Sequence, residues 1–270
     1  MKLFTIPNLF TLGNLLCGCL AIVFAFDNDL VWSAYLVGIA CVFDFLDGFL
    51  ARLLKQHSEI GKQLDSLADM VTFGVVPGIV MFMMLRFAFM MHDNSQTGFF
   101  DSRHGFAYYP FAFIAFLIPI FSALRLAKFN VDTRQSDSFI GVPTPANSIL
   151  ICSLPLIMKY YEEANIPEIR VKMIGFIDIG EPVLAILQNP WFLVSVTIMM
   201  SILLIVELPL FALKFKSFGW KGNETRYVFL ALCVVLLATL KFIGIPLIIV
   251  LYVLMSVVNN AMTRKVTGDR

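Results

Sequence analysis

What most constrains this chain is a series of long apolar runs, about eight of them, each nearly free of charge and each close to the length of a membrane-crossing helix. A hydrocarbon core roughly 30 Å thick takes about 20 helical residues to span. The runs fall at 10–27, 30–54, 63–91, 106–129, 144–161, 191–213, 227–243 and 245–262. No stretch alternates apolar and polar residues in the way an outer-membrane barrel requires. Composition agrees, since 59% of the 270 residues are hydrophobic and only 14% are charged, outside the usual range of soluble domains. The expected fold is all-α: a polytopic membrane helical bundle forming one domain over 1–270, with no low-complexity linker or internal repeat to divide it. Only "KFIGIP" separates the last two runs. They read either as two spans or as one broken hairpin.

Charge distribution gives an orientation. With the N-terminus in the cytoplasm, Lys2, Arg52, Lys55, Lys62, Arg125, Lys128, Arg134, the lysines of 214–221, Arg226 and the basic tail share that side, 14 of the 20 basic residues. That bias is what the positive-inside rule expects. Two stretches then lie outside, 92–105 and 160–190. Within the second, the semi-apolar piece 168–187 reads as an ordinary loop before it reads as an interfacial segment. The five cysteines all sit in apolar runs, as packing residues do. A net charge of +1 without a basic, aromatic-interleaved stripe gives no support for nucleic-acid binding. At the start, "TIPN" places Pro7 in a first helical turn and holds Asn8 near the cytoplasmic face.

Against this background, residues 44–69, "DFLDGFLARLLKQHSEIGKQLDSLAD", are anomalous. One ionised carboxylate in a span costs roughly 2.5–3.5 kcal/mol even on a lenient insertion scale, so four approach ~10 kcal/mol unless something compensates. Asp44, Asp47 and Ala51 share one face of the second span by their spacing of three and four, and Gly61, Asp65 and Asp69 share one face of the third. A short connection makes the two faces neighbours. Carboxylate oxygens without histidine or thiolate suit Mg²⁺, Mn²⁺ or Ca²⁺ and argue against Zn²⁺ or copper. Three or four carboxylates exceed what one Mg²⁺ takes, and a pair of ions is the usual clamp for displacement at phosphorus. Gly48 and Gly61 leave room for a bulky ligand, and Arg52 offers a bidentate grip on phosphate.

The stretch resembles the CDP-alcohol phosphatidyltransferase family, whose signature D-x-x-D-G-x-x-A-R, eight residues, G-x-x-x-D-x-x-x-D is filled at every fixed position by Asp44, Asp47, Gly48, Ala51, Arg52, Gly61, Asp65 and Asp69. The match covers about a tenth of the chain. The resemblance implies a six-helix core plus about two further C-terminal spans, in a bacterial or archaeal plasma membrane, with the site at its cytoplasmic face and dimers common. It implies Asp44, Asp47 and Asp65 as ligands of Mg²⁺ or Mn²⁺, two ions in all. Asp69 is implied as general base that also touches metal. Asn8, Gly48, Ala51, Arg52 and Gly61 would border the CDP-diacylglycerol donor.

The acceptor has to be read elsewhere. Residues 122–147, "SALRLAKFNVDTRQSDSFIGVPTPAN", together with "LADMVTFGVVP", resemble the branch of the family that uses serine. Serine needs a cation for its carboxylate and an acceptor for its ammonium. Arg125 and Asn130 are the preferred contacts, with Lys128 and Arg134 beside them. Glycerol 3-phosphate, inositol and choline remain alternative acceptors, because synthases that use them share the aspartates. From another class, an ion-coupled transporter also carries intramembrane acids, but here the acids crowd one end of two adjacent helices.

Overall fold

A computed structural model describes residues 3–56, 58–92, 110–131, 139–164, 180–210, 219–220 and 223–268. Helix α1 (Ile6–Phe26) begins at Thr5, whose hydroxyl accepts from the Asn8 amide, with Pro7 in the first turn as the sequence suggested. It ends in a tight turn at Asn28, φ 64°, a left-handed conformation that asparagine tolerates. Asp29 then caps α2 (Leu30–Leu53) by accepting from the Trp32 amide at 3.0 Å. After Lys55, φ 53°, Ser58 caps α3 (Glu59–Asp69). Helix α1 packs against both α2 and α3.

Helix α3 runs through a π-helical segment, Met70–Val75, into α4 (Val76–His92), giving a 34-residue rod. Across this segment the Val76 amide reaches back five residues, to the Val71 carbonyl. Pro77 follows directly; it cannot donate to the carbonyl four residues back, and its ring crowds that carbonyl. Such widened turns tend to occur at functional sites, and this one starts one residue after Asp69. Helix α4 is the axis of the bundle, buried continuously from Val76 to Arg86, and it touches α1, α2 and the helices at Thr144–Ala164 and Pro190–Ile205.

A 3₁₀ turn at Pro110–Phe116 leads into α5 (Leu117–Val131), and α6 (Thr144–Ala164) follows. Helix α6 is the expected fifth span, yet its polar ends leave it less apolar than the others. It lies inside, with Leu150, Ile151, Cys152, Leu154 and Ile157 all buried. Of the piece 168–187, residues 180–187 correct the loop reading: they form helix α7 (Gly180–Leu187), packed on α6 and bent 67° from α8 (Pro190–Ile205). Leu184 and Leu187 are the buried anchors. The expected run 191–213 is shortened, since α8 stops at Ile205 ahead of Pro209, and Pro209–Leu210 (β2) pairs antiparallel with Phe139–Ile140 (β1).

The last two runs become α9 (Glu224–Leu240) and α10 (Gly244–Gly268), joined at Lys241, φ 50°. The rings of Phe229 and Tyr252 stand 5.6 Å apart, whereas a straight helix would separate them by about 35 Å. The pair is therefore a helical hairpin. Its second arm packs on α6, and Asn260 donates to the Pro209 carbonyl at 2.6 Å. Among the described residues α1, α2, α3–α4, the stretch Pro110–Val131 and the C-terminal 224–260 stretch are long and apolar enough to cross a membrane, with the bent pair α7–α8 as a sixth candidate; together with α6 they make an all-α polytopic bundle. Its outer surface is apolar, with Leu16, Val23, Phe45, Ile202 and Val234 exposed, while Asn14, Thr72, Ser122 and Asn147 are fully buried. That inside-out distribution is what a hydrocarbon solvent selects.

Candidate active site

The site forms where the polar ends of α1, α2 and α3 meet. Helical spacing puts Asp44 and Asp47 on one face of α2 and Asp65 on the facing side of α3; one oxygen from each lies within 4.8 Å of the others. Three carboxylates so close repel one another unless a cation lies among them. A second observation points the same way: Asp65 Oδ1 is buried and has no hydrogen-bond partner. An unpaired charged acceptor is expensive to bury, and a hard divalent ion would satisfy it. These residues therefore fit the metal the signature implies. Asp69 falls outside this triad. It is buried at 9% exposure and accepts a hydrogen bond from Asn14 Nδ2 at 3.1 Å.

Beside the triad lies a cavity of about 240 Å³, lined by Pro7, Asn8, Thr11, Asp47, Gly48, Ala51, Arg52, Gln56, Ser58, Gly61, Lys62 and Asp65. All five residues expected at the donor site, Asn8, Gly48, Ala51, Arg52 and Gly61, are among them. The two glycines act differently. A Cβ at Gly48 would meet only Arg52 Nη1, at 3.8 Å, so its missing side chain is space left open in the cavity. A Cβ at Gly61 would stand 3.1 Å from Asn8 Oδ1 and 3.0 Å from Ser58 Oγ, so there the glycine lets α1 approach α3 closely. Arg52 and Lys62 bring two cations to this cavity, matched to an anionic ligand.

Helix α1 supplies a wall of which the sequence reading included only Asn8, not Thr11 or Asn14. Thr11 Oγ1 donates to Asp47 Oδ2 at 2.7 Å, Asn14 holds Asp69, and Thr72 Oγ1 in the π-helical segment donates to the Asn14 carbonyl at 3.1 Å. The signal was available: Asn8, Thr11 and Asn14 recur every three residues along an otherwise apolar span, and such polar groups face the bundle interior. Lys62 was legible likewise, three residues before Asp65 on the same helix.

The four residues expected at the acceptor are placed less simply, and none of the described three lines the cavity. Arg125 is buried and donates to the Leu204 carbonyl at 3.3 Å, tying α5 to the end of α8. Lys128 pairs with Glu207 at 2.7 Å. Asn130 donates to Ser66 Oγ at 2.8 Å, and its carbonyl accepts from Lys62 Nζ at 3.0 Å, so it borders the α3 side of the site. Arg134 lies outside the described residues.

Comparison with known proteins extends this picture. A family model described as CDP-alcohol phosphatidyltransferase matches residues 4–177. A Helicobacter pylori strain J99 protein named CDP-diacylglycerol–serine O-phosphatidyltransferase is 35% identical over 179 residues, covering 65% of this chain and 67% of the relative. Proteins of the same name from Bacillus subtilis strain 168 and Methanocaldococcus jannaschii are 33% and 30% identical, covering 52% and 67% of this chain and 69% and 75% of the relatives. The family match takes in every cavity-lining residue and stops before α7, α8 and the C-terminal hairpin. On a match spanning more than half its length, the chain belongs to the CDP-alcohol phosphatidyltransferase family and is a phosphatidyltransferase.

Proposed function

We propose that this enzyme moves the phosphatidyl group of CDP-diacylglycerol to L-serine, giving phosphatidylserine and CMP. The single observation that carries the chemistry is the Asp44–Asp47–Asp65 triad, with its unpaired buried oxygen, at the edge of a cavity lined by the signature residues. Serine as acceptor is supported by the names of the relatives and by the resemblance of 122–147.

In this reading Asp44, Asp47 and Asp65 would hold Mg²⁺ or Mn²⁺, and Asp69 would share a second ion. When bound, the metal neutralises the donor pyrophosphate and the charge that gathers in the transition state. The cavity takes the cytidine diphosphate. Arg52 and Lys62 attract its phosphates, and the open space at Gly48 admits it. Asp69 accepts the proton of the serine hydroxyl. The hydroxyl oxygen bonds to the phosphorus that carries the diacylglycerol, the bond from that phosphorus to the bridging oxygen breaks, and the electron pair leaves with CMP. No covalent enzyme intermediate is needed. Serine enters from the α3–α5 side, where Asn130 borders the site, with Arg125 as the cation for its carboxylate and Lys128 and Arg134 nearby. The site faces the cytoplasm, in keeping with the basic residues gathered at that end of the bundle.

CMP release by the purified protein tests this, with serine, glycerol 3-phosphate, inositol and choline offered in turn, with and without a chelator. Serine-dependent release that stops on chelation is expected. Release only with another alcohol sinks the acceptor assignment, and undiminished release under chelator, or in Asp65→Asn, sinks the metal triad.

A further inference from the structure

We infer that Asn14, in the first span, is a positioning residue for the transfer step, acting through Asp69; this rests on the reading of Asp69 as general base. Three observations converge. Asn14 is fully buried, and its side chain reaches across the bundle, 55 residues in sequence, to donate from Nδ2 to Asp69 Oδ1 at 3.1 Å. Its backbone is clamped in turn: Thr72 Oγ1, three residues past Asp69, donates to the Asn14 carbonyl at 3.1 Å. Gly18, one turn further along α1, lies against Thr72 so closely that a Cβ there would collide with Thr72 Oγ1. Helix α1 and the π-helical segment are therefore locked in register at the point where Asp69 leaves α3.

The chemistry of the pair fixes its sense. A carboxylate only accepts, so the amide must turn its NH₂ toward Asp69. Asn14 Oδ1 is then left buried without a partner, a cost that a residue kept only for packing would not carry. One oxygen of Asp69 is occupied by a neutral donor that cannot neutralise the carboxylate or compete for its charge as Lys or Arg would. The other oxygen is left to take the acceptor's proton, and the carboxyl plane is held in one orientation. A base fixed in this way needs no reorganisation at the moment of transfer.

The test is steady-state kinetics of the full-length protein in mixed micelles, following CMP release, on Asn14→Ala and on Asn14→Leu, which preserves side-chain volume if the alanine variant folds poorly. Loss of a charge-assisted hydrogen bond to the base lowers kcat by about 10- to 100-fold. KM for CDP-diacylglycerol stays within about twofold, and the rise in unfolding temperature produced by Mn²⁺ is retained, because Asp44, Asp47 and Asp65 are untouched. A kcat within about threefold of wild type in both variants overturns the inference. So does a loss of kcat matched by an equal rise in donor KM or by disappearance of the entire Mn²⁺ effect, which marks damage reaching beyond Asp69 to the triad. Asp69→Asn, assayed alongside, separates two failures. If it keeps the wild-type rate, the general-base reading itself falls; if it is inactive while both Asn14 variants are unimpaired, only the present inference falls.

Discussion

Thr11 offers the sharpest test of whether the carboxylate triad is a metal site held from the first span. Its hydroxyl carries one hydrogen and has two acceptors within reach, Asp47 Oδ2 at 2.7 Å and the Pro7 carbonyl at 3.2 Å. The shorter, charge-assisted contact takes the proton, so Asp47 has its Oδ2 pinned from the first span. Hydrogen bonds to charged groups contribute about 1.5–3 kcal/mol, a factor of roughly 10–150 in an equilibrium constant. Support of this kind behind a metal ligand is typically worth about 10- to 100-fold in affinity. Thr11→Val keeps the branched shape and removes the donor. We expect the half-saturating Mg²⁺ or Mn²⁺ concentration for CMP release to rise by about 10- to 100-fold, with kcat at saturating metal largely retained and Thr11→Ser restoring the wild-type midpoint. An unchanged metal midpoint in Thr11→Val would refute the reasoning. A loss of kcat that added metal does not recover would show that Thr11 acts on something other than the triad.

Two glycine substitutions should move stability in opposite directions. Gly48→Ala adds a methyl to open cavity and replaces a helical glycine; the unfolding temperature should hold or rise, by up to about 1 kcal/mol of stability, while the donor KM increases. A fall in stability would show that the space at Gly48 is not cavity. Gly18→Ala, remote from the cavity, forces a Cβ against Thr72, 3.1 Å from its Cα. Overpacking of this kind costs about 1–3 kcal/mol, so both the unfolding temperature and the transfer rate should drop; a wild-type melting curve would argue against the tight α1 contact.

The helical membrane class and the acidic faces of α2 and α3 follow from residue order alone. Both are local consequences of composition and of a 3.6-residue period, and both hold whatever the helices touch. The spacing of Asp44 with Asp47, and of Gly61 with Asp65, placed these residues before any packing was known, and the short 54–58 connection made the two faces meet. Residue order also left the end of the chain open between two spans and a broken hairpin, because "KFIGIP" carries turn chemistry at the scale of a few residues but not the direction of the next helix; the Phe229–Tyr252 contact decides that. The helix α7 that replaces a loop at 180–187 depends likewise on a partner, since eight residues gain little helical stability alone and are held by burying Leu184 and Leu187 on α6. Only the tertiary structure separated Asp69 from the other three acids, turned Arg125 toward the end of α8, and brought Thr11 and Asn14 to Asp47 and Asp69. Those contacts join residues 36 to 79 positions apart, and which ones form is set by how whole helices pack, through small residues such as Gly18 and the π-helical segment after Asp69, not by any pattern readable within one helix.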